Sequence, residues 1–144
     1  VTRLNTLFPE VRLKRTIEMR GADAHNAEES AALSALWKGL CYSESAFRKA
    51  EQLAHRYSLA EMSEARLAIG DSALRVKLRG KALAEWCEEL LEIASLGIDE
   101  LEPNAISMLN APKRWAGAAV TAGEQLAMAV KVPAFDALLV RASF

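Results

Sequence analysis

From Glu10 to Arg20, charged or polar residues alternate with apolar ones, which is the two-residue period of a half-buried β-strand. Val11, Leu13, Ile17 and Met19 make an apolar face that Arg15 alone interrupts. Glu10, Arg12, Lys14, Thr16, Glu18 and Arg20 make the opposite, charged one. The pattern predicts one strand over residues 8–20, followed by a turn at Gly21-Ala22-Asp23. Beyond it the period becomes helical. Leu33, Leu36, Trp37 and Leu40 fall on one face of a helix running to about Cys41. Ser43 is placed to cap a second helix carrying Phe47, Ala50, Leu53 and Tyr57. Ser58 to Glu61 reads as a capping box opening a third helix that ends near Gly70. The basic stretch from Arg75 to Lys81 reads as a solvated loop, with contact to a nucleotide or another subunit as the alternative. A strong helix follows, with Leu83, Trp86, Leu90 and Ile93 on its buried stripe and Gly97 as its close. Pro103 and Pro112 bound a less regular segment. Thr121 to Glu124 forms a second capping box, and its helix must stop by Pro133. A last amphipathic piece carries Phe135, Leu138 and Leu139.

The expected architecture is therefore mainly α: a helical region over residues 24–144, preceded by one strand and a turn within residues 1–23. A lone strand cannot satisfy its own backbone donors and acceptors, so it needs a neighbour. That neighbour lies upstream in a longer chain or in a second copy pairing edge to edge, which leaves a homodimer open. The chain begins with Val rather than Met, and a piece of a longer protein is the expectation.

Composition narrows the class further. Half of the 144 residues are apolar and 26% are charged, as in soluble globular domains. A net charge of −1 argues against nucleic acid as a partner. No apolar run reaches the length of a membrane span, so no membrane is expected. Cys41 and Cys87 sit in separate helical segments without C-x-x-C spacing. They read as reduced core thiols, and a cytoplasmic location is expected. Trp37 and Trp86 read as core and Trp115 as a loop residue. His25 and His55 have no metal-ligand spacing.

The chemistry concentrates on the charged face of the leading strand, where carboxylates and guanidinium groups stand two residues apart. That crowding suits a site handling metal ions and phosphates, although a solvated strand face has the same pattern. The run Phe8 to Asp23, FPEVRLKR-T-IEMRGAD, resembles the strand motif FPEVRLK-[KR]-YLEMRGAD of glutamate–cysteine ligases of the plant and proteobacterial type. Leu33 to Tyr42 is similar to that family's LPA-[LF]-WVGLLYD helix, with weaker likeness at residues 90–94 and 121–126. The resemblance covers most of this chain but only about the last third of a typical member. Thr16 stands where the family has Tyr and Ser34 where it has Pro. Residues 24–30 depart from the family's segment after GAD.

The resemblance implies an ATP-dependent ligase that joins glutamate to cysteine through a γ-glutamyl phosphate, the first step of glutathione biosynthesis. It implies Mg2+ as cofactor, ATP as substrate, and an antiparallel sheet like that of glutamine synthetase, mostly upstream in a larger α+β fold. By the same resemblance Glu18 is the expected metal ligand and Arg20 the expected catalytic phosphate contact, while Arg12, on the same face, either reaches ATP or the glutamate carboxylate or is simply solvated. Magnesium's preference for hard oxygens and the phosphoryl group's need for cations agree with those residue types. The isolated chain is expected to be inactive, since it supplies one strand and one ligand of several. Two rivals stand beside this reading: a ligase using another amine, and a non-catalytic helical interaction module.

Overall fold

The computed structural model describes residues 11–22 and 26–130. Among these lie six α-helices and two short hairpins. The helices are α1 (Ala27–Tyr42), α2 (Glu44–His55), α3 (Leu59–Ser72), α4 (Leu83–Leu101), α5 (Asn110–Ala118) and α6 (Ala122–Val130). The strands are β1 (Val11–Leu13), β2 (Ile17–Met19), β3 (Lys77–Leu78) and β4 (Lys81–Ala82). The mainly helical class is as expected. The expectations for Glu10, Asp23, His25, Pro133 and the piece around Phe135, Leu138 and Leu139 fall outside the described residues.

The leading segment departs from the expected single strand. β1 and β2 pair antiparallel as a hairpin, with Val11 opposite Met19, Arg12 opposite Glu18 and Leu13 opposite Ile17. Lys14, Arg15 and Thr16 form the turn, and the Lys14 amide donates to the Thr16 carbonyl at 2.9 Å. Arg15, the residue that broke the apolar face, is the centre of that turn. The register is symmetric about it, so odd residues still share one face and even residues the other. Their exposure is the reverse of the expectation. Leu13 and Ile17 are 80% and 63% exposed, whereas Arg12, Glu18 and Arg20 are half-buried.

The helices begin where side-chain oxygens can satisfy their free amides. Asn26 accepts from the Glu29 amide at 3.0 Å and opens α1. Ser43 accepts from the Ala46 amide at 3.2 Å and opens α2, while its own hydroxyl donates to Glu100 on α4 at 2.5 Å. The Ser58–Glu61 and Thr121–Glu124 boxes open α3 and α6 as read.

The core lies between α1 and α4, closed by α2, α5 and the 3-10 turn over Pro103–Leu109. Leu40, Ala46, Leu53, Leu91, Ala94, Ile98 and Leu109 form its centre. Here the sequence reading needs two corrections. Gly97 does not close α4, which continues to Leu101; Gly97 lies in the interior, facing Gly39 of α1. A methyl group on Gly97 would stand 2.0 Å from the Gly39 carbonyl oxygen, so the two backbones meet directly. That contact turns α1 so that Ala32, Ala35, Gly39 and Leu40 are buried, and Trp37, expected in the core, is 37% exposed.

A smaller cluster of Ala65, Val76 and Leu78, with Tyr57 and Leu83, sits beneath the β3–β4 hairpin. This hairpin replaces the solvated loop expected for Arg75 to Lys81. Its two-residue turn needs left-handed backbone twice, at Arg79 (φ 49°) and Gly80 (φ 83°). Arg79 accepts that strain while its guanidinium forks onto Glu61, at 2.6 and 2.9 Å, and lies over the Tyr57 ring. Glu61 thus caps α3 and clamps the hairpin with one carboxylate. Its pKa is held down to about 2 by the Arg79 hydrogen bonds first and the Ser58 amide second. No helix among the described residues is long and apolar enough to cross a membrane.

Candidate functional site

The three residues singled out from the sequence, Arg12, Glu18 and Arg20, share the half-buried face of the β1–β2 hairpin. On a straight strand Arg12 and Glu18 would stand roughly 20 Å apart. The hairpin instead places them directly opposite one another. Arg12 Nε donates to Glu18 Oε2 at 2.7 Å, and Arg12 Nη2 reaches the same oxygen at 2.5 Å. Arg20 Nε lies 3.8 Å from the other oxygen, Oε1. The Arg12 hydrogen bond is the chief cause that holds the Glu18 carboxyl below its usual range, with the charges of Arg12, Arg20 and Lys14 adding to it.

Glu18 and Arg20 are therefore neighbours, as their spacing required. The Arg12–Glu18 pair was missed because nothing in a plain alternation marks a reversal of chain direction. The available sign was Arg15, a charge in the middle of an apolar series. Lys14 and Arg15 are exposed on the turn.

The donor set offers one carboxylate with hard oxygens and two guanidinium groups. Those oxygens suit a divalent magnesium ion, and the guanidinium forks suit the oxygens of a phosphate. Among the described residues no group of three His, Cys, Asp or Glu side chains gathers into a metal site. Glu18 can serve a divalent ion there as one ligand and no more.

A large cleft lies elsewhere, about 680 Å3, between the end of α3, α4, α5 and the start of α6. Leu36, Ile69, Leu90, Trp115 and Val120 make it mainly apolar, and Cys87 reaches its wall. Trp115 is on α5 rather than in a loop. The cleft contains none of the three charged site residues, and its one carboxylate, Glu124, is already bound to Arg75 at 2.6 Å. The charged residues singled out from the sequence thus lie on the hairpin face and not in this cleft. The expectation of two core thiols needs correction as well: Cys41 is exposed and Cys87 half-buried. The helix turn forced by Gly39 carries Cys41 outward.

Comparison with known proteins identifies the family. Residues 1–109, which include the whole hairpin, match glutamate-cysteine ligase family 2 (GCS2). The chain is 34% identical over 123 residues to the chloroplastic glutamate–cysteine ligases of Medicago truncatula and Brassica juncea, and 33% identical to that of Arabidopsis thaliana. Each match covers 85% of this chain and 24% of the relative, so the chain spans about a quarter of the length of the curated relatives it matches. These relatives are chloroplastic, which overturns the cytoplasmic location expected from the cysteines. Reduced thiols do not tell a plastid stroma from a cytosol. Mainly helical, and carrying the charged hairpin motif within the matched region, the chain belongs to the glutamate–cysteine ligase family.

Proposed function

We propose that this chain is the C-terminal part of an ATP-dependent glutamate–cysteine ligase and that the β1–β2 hairpin forms one wall of the active site. The carrying observation is the juxtaposition of Glu18 with Arg12 and Arg20 on one half-buried face, inside the segment that matches the family. Glu18 holds a magnesium ion through its carboxylate, and Arg20 binds the phosphate transferred from ATP to the glutamate side chain. Arg12 binds a further oxygen of ATP or substrate. Magnesium, when bound, draws negative charge from the phosphate oxygens as the phosphoryl group moves. The guanidinium groups orient the same oxygens from the face that the paired strands present.

Three features support a larger fold around this face. Leu13 and Ile17 leave the apolar side of the hairpin in solvent, and the outer edges of a two-stranded sheet call for further strands. Among the described residues the donor set also holds a single carboxylate. An upstream antiparallel sheet of the parent protein answers all three, and it would supply the remaining ligands and the glutamate and cysteine pockets. The 144 residues alone are then inactive.

The test is ADP release by the full parent protein, dependent on both glutamate and cysteine, beside its Glu18→Gln variant. The expected result is activity requiring both amino acids and a loss on the order of 100-fold in the variant. Full activity in the variant would remove Glu18 from the metal site. Equal turnover with other amines would replace cysteine as the substrate.

A further inference from the structure

We infer that Arg12 is a placeholder on the metal-binding carboxylate, holding Glu18 until an incoming phosphate draws its guanidinium away. Divalent cation and phosphate then enter the site as a pair. The inference rests on the reading of Glu18 as a metal ligand.

The hydrogen bonds carry the first part. A guanidinium and a carboxylate usually meet fork to fork, two donors on two oxygens. Here Nε donates to Oε2 at 2.7 Å and Nη2 stands 2.5 Å from the same oxygen. The guanidinium thus covers the oxygen that a metal would take. The other oxygen faces Arg20 at 3.8 Å.

Charge carries the second part. Among the described residues, a bare divalent cation arriving at Glu18 meets one carboxylate with Arg12 and Arg20 against it and the charge of Lys14 nearby. Repulsion opposes its entry. A phosphate reverses the balance, because it takes the guanidinium groups as its own partners and frees the carboxylate oxygen.

The exchange is also mechanically easy. Arg12 and Glu18 are 37% and 41% exposed, so water and anions compete for the pair. Their opposition is set by the backbone ladder of β1 and β2, and Arg12 can swing by rotamer change while the hairpin stays paired.

The experiment titrates Mn2+, a spectroscopic stand-in for Mg2+, into the full parent protein. Free Mn2+ is read from its electron paramagnetic resonance signal, with and without millimolar inorganic phosphate. Protein-free controls correct for Mn2+ bound by phosphate in solution. For the wild type, phosphate is expected to tighten Mn2+ binding about tenfold, within the usual range for coupled sites. Arg12→Gln is expected to tighten Mn2+ binding roughly fivefold without phosphate and to lose most of the phosphate effect. The gain should vanish in the Arg12→Gln/Glu18→Gln double variant. Arg12→Lys keeps a cation but not the planar fork, and gives a smaller gain of the same sign. Should Arg12→Gln fail to fold, Arg12→Lys decides. Mn2+ affinity that falls or stays level in these variants, while Glu18→Gln weakens it, would overturn the placeholder role and leave the ligand reading intact. Mn2+ binding indifferent to Glu18→Gln would remove both.

Discussion

Gly97→Ala is the sharpest test of the helical core. Alanine is the better helix former, and in an open helix the change stabilises by about 0.5–1 kcal/mol. At residue 97 the new methyl would stand 2.0 Å from the Gly39 carbonyl oxygen, 2.8 Å from its carbonyl carbon and 2.9 Å from Ala46 Cβ. An ordinary carbon–oxygen contact is above roughly 3.2 Å, so α1 and α4 must part by about 1.2 Å. Two of the three obstacles are backbone atoms, which no rotamer change can move. Overpacking of this kind costs about 1–3 kcal/mol, and the rigid neighbours put this case at the upper end. Subtracting the propensity gain leaves a net loss of about 2 kcal/mol. Gly70→Ala is the matched control. It lies in α3, nothing comes within 4 Å of its added methyl, and a gain of about 0.5–1 kcal/mol is expected. Urea unfolding followed by circular dichroism at 222 nm separates the two. Gly97→Ala should lower the midpoint by roughly 1 M, and Gly70→Ala should raise it slightly. Gly39→Ala obstructs the same seam, so the double variant should lose much less than the sum of the two singles. A Gly97→Ala midpoint equal to or above that of the wild type would refute direct backbone contact between α1 and α4.

Three further outcomes follow from the same geometry. Gly80 sits at φ 83° with open space around it, so Gly80→Ala should cost about 1–2 kcal/mol through backbone strain alone; an unchanged melting temperature would deny the left-handed turn. Ser58→Ala removes an α3 cap and should cost about 1 kcal/mol in the same urea assay, with Ser58→Gly costing less than alanine. The Glu61 carboxyl is depressed from 4.5 to about 2, so the unfolded chain takes up its proton first as pH falls. Its contribution to stability is then complete above pH 4.5 and lost toward pH 2. Stability measured across that window should fall less steeply in Glu61→Gln, and carbon NMR of the Glu61 carboxyl should show a midpoint near the lower limit. A midpoint at 4.5 would mean that Arg79 does not hold it in solution.

Much of this molecule was legible in local pattern, because local pattern acts through short-range physics. Caps at Ser43, Ser58 and Thr121 need only a side-chain oxygen and an amide within three residues, and each stands where the sequence put it. The mainly helical class follows from periodicity, and the alternation of Val11 to Arg20 determined which residues share a face. Alternation is blind to chain reversal, however, and a turn centred on Arg15 preserves the same two faces as a straight strand would. Only the tertiary structure decided that Arg12 opposes Glu18 on the site face. It also decided how α1 is turned. Leu33, Leu36 and Trp37 offer more apolar surface than Ala32, Ala35 and Gly39, but Gly39 and Gly97 let two backbones meet, and close packing around that contact outweighs the larger side chains. Such a contact joins residues far apart in the chain, and neither glycine carries a mark of it in its own neighbourhood.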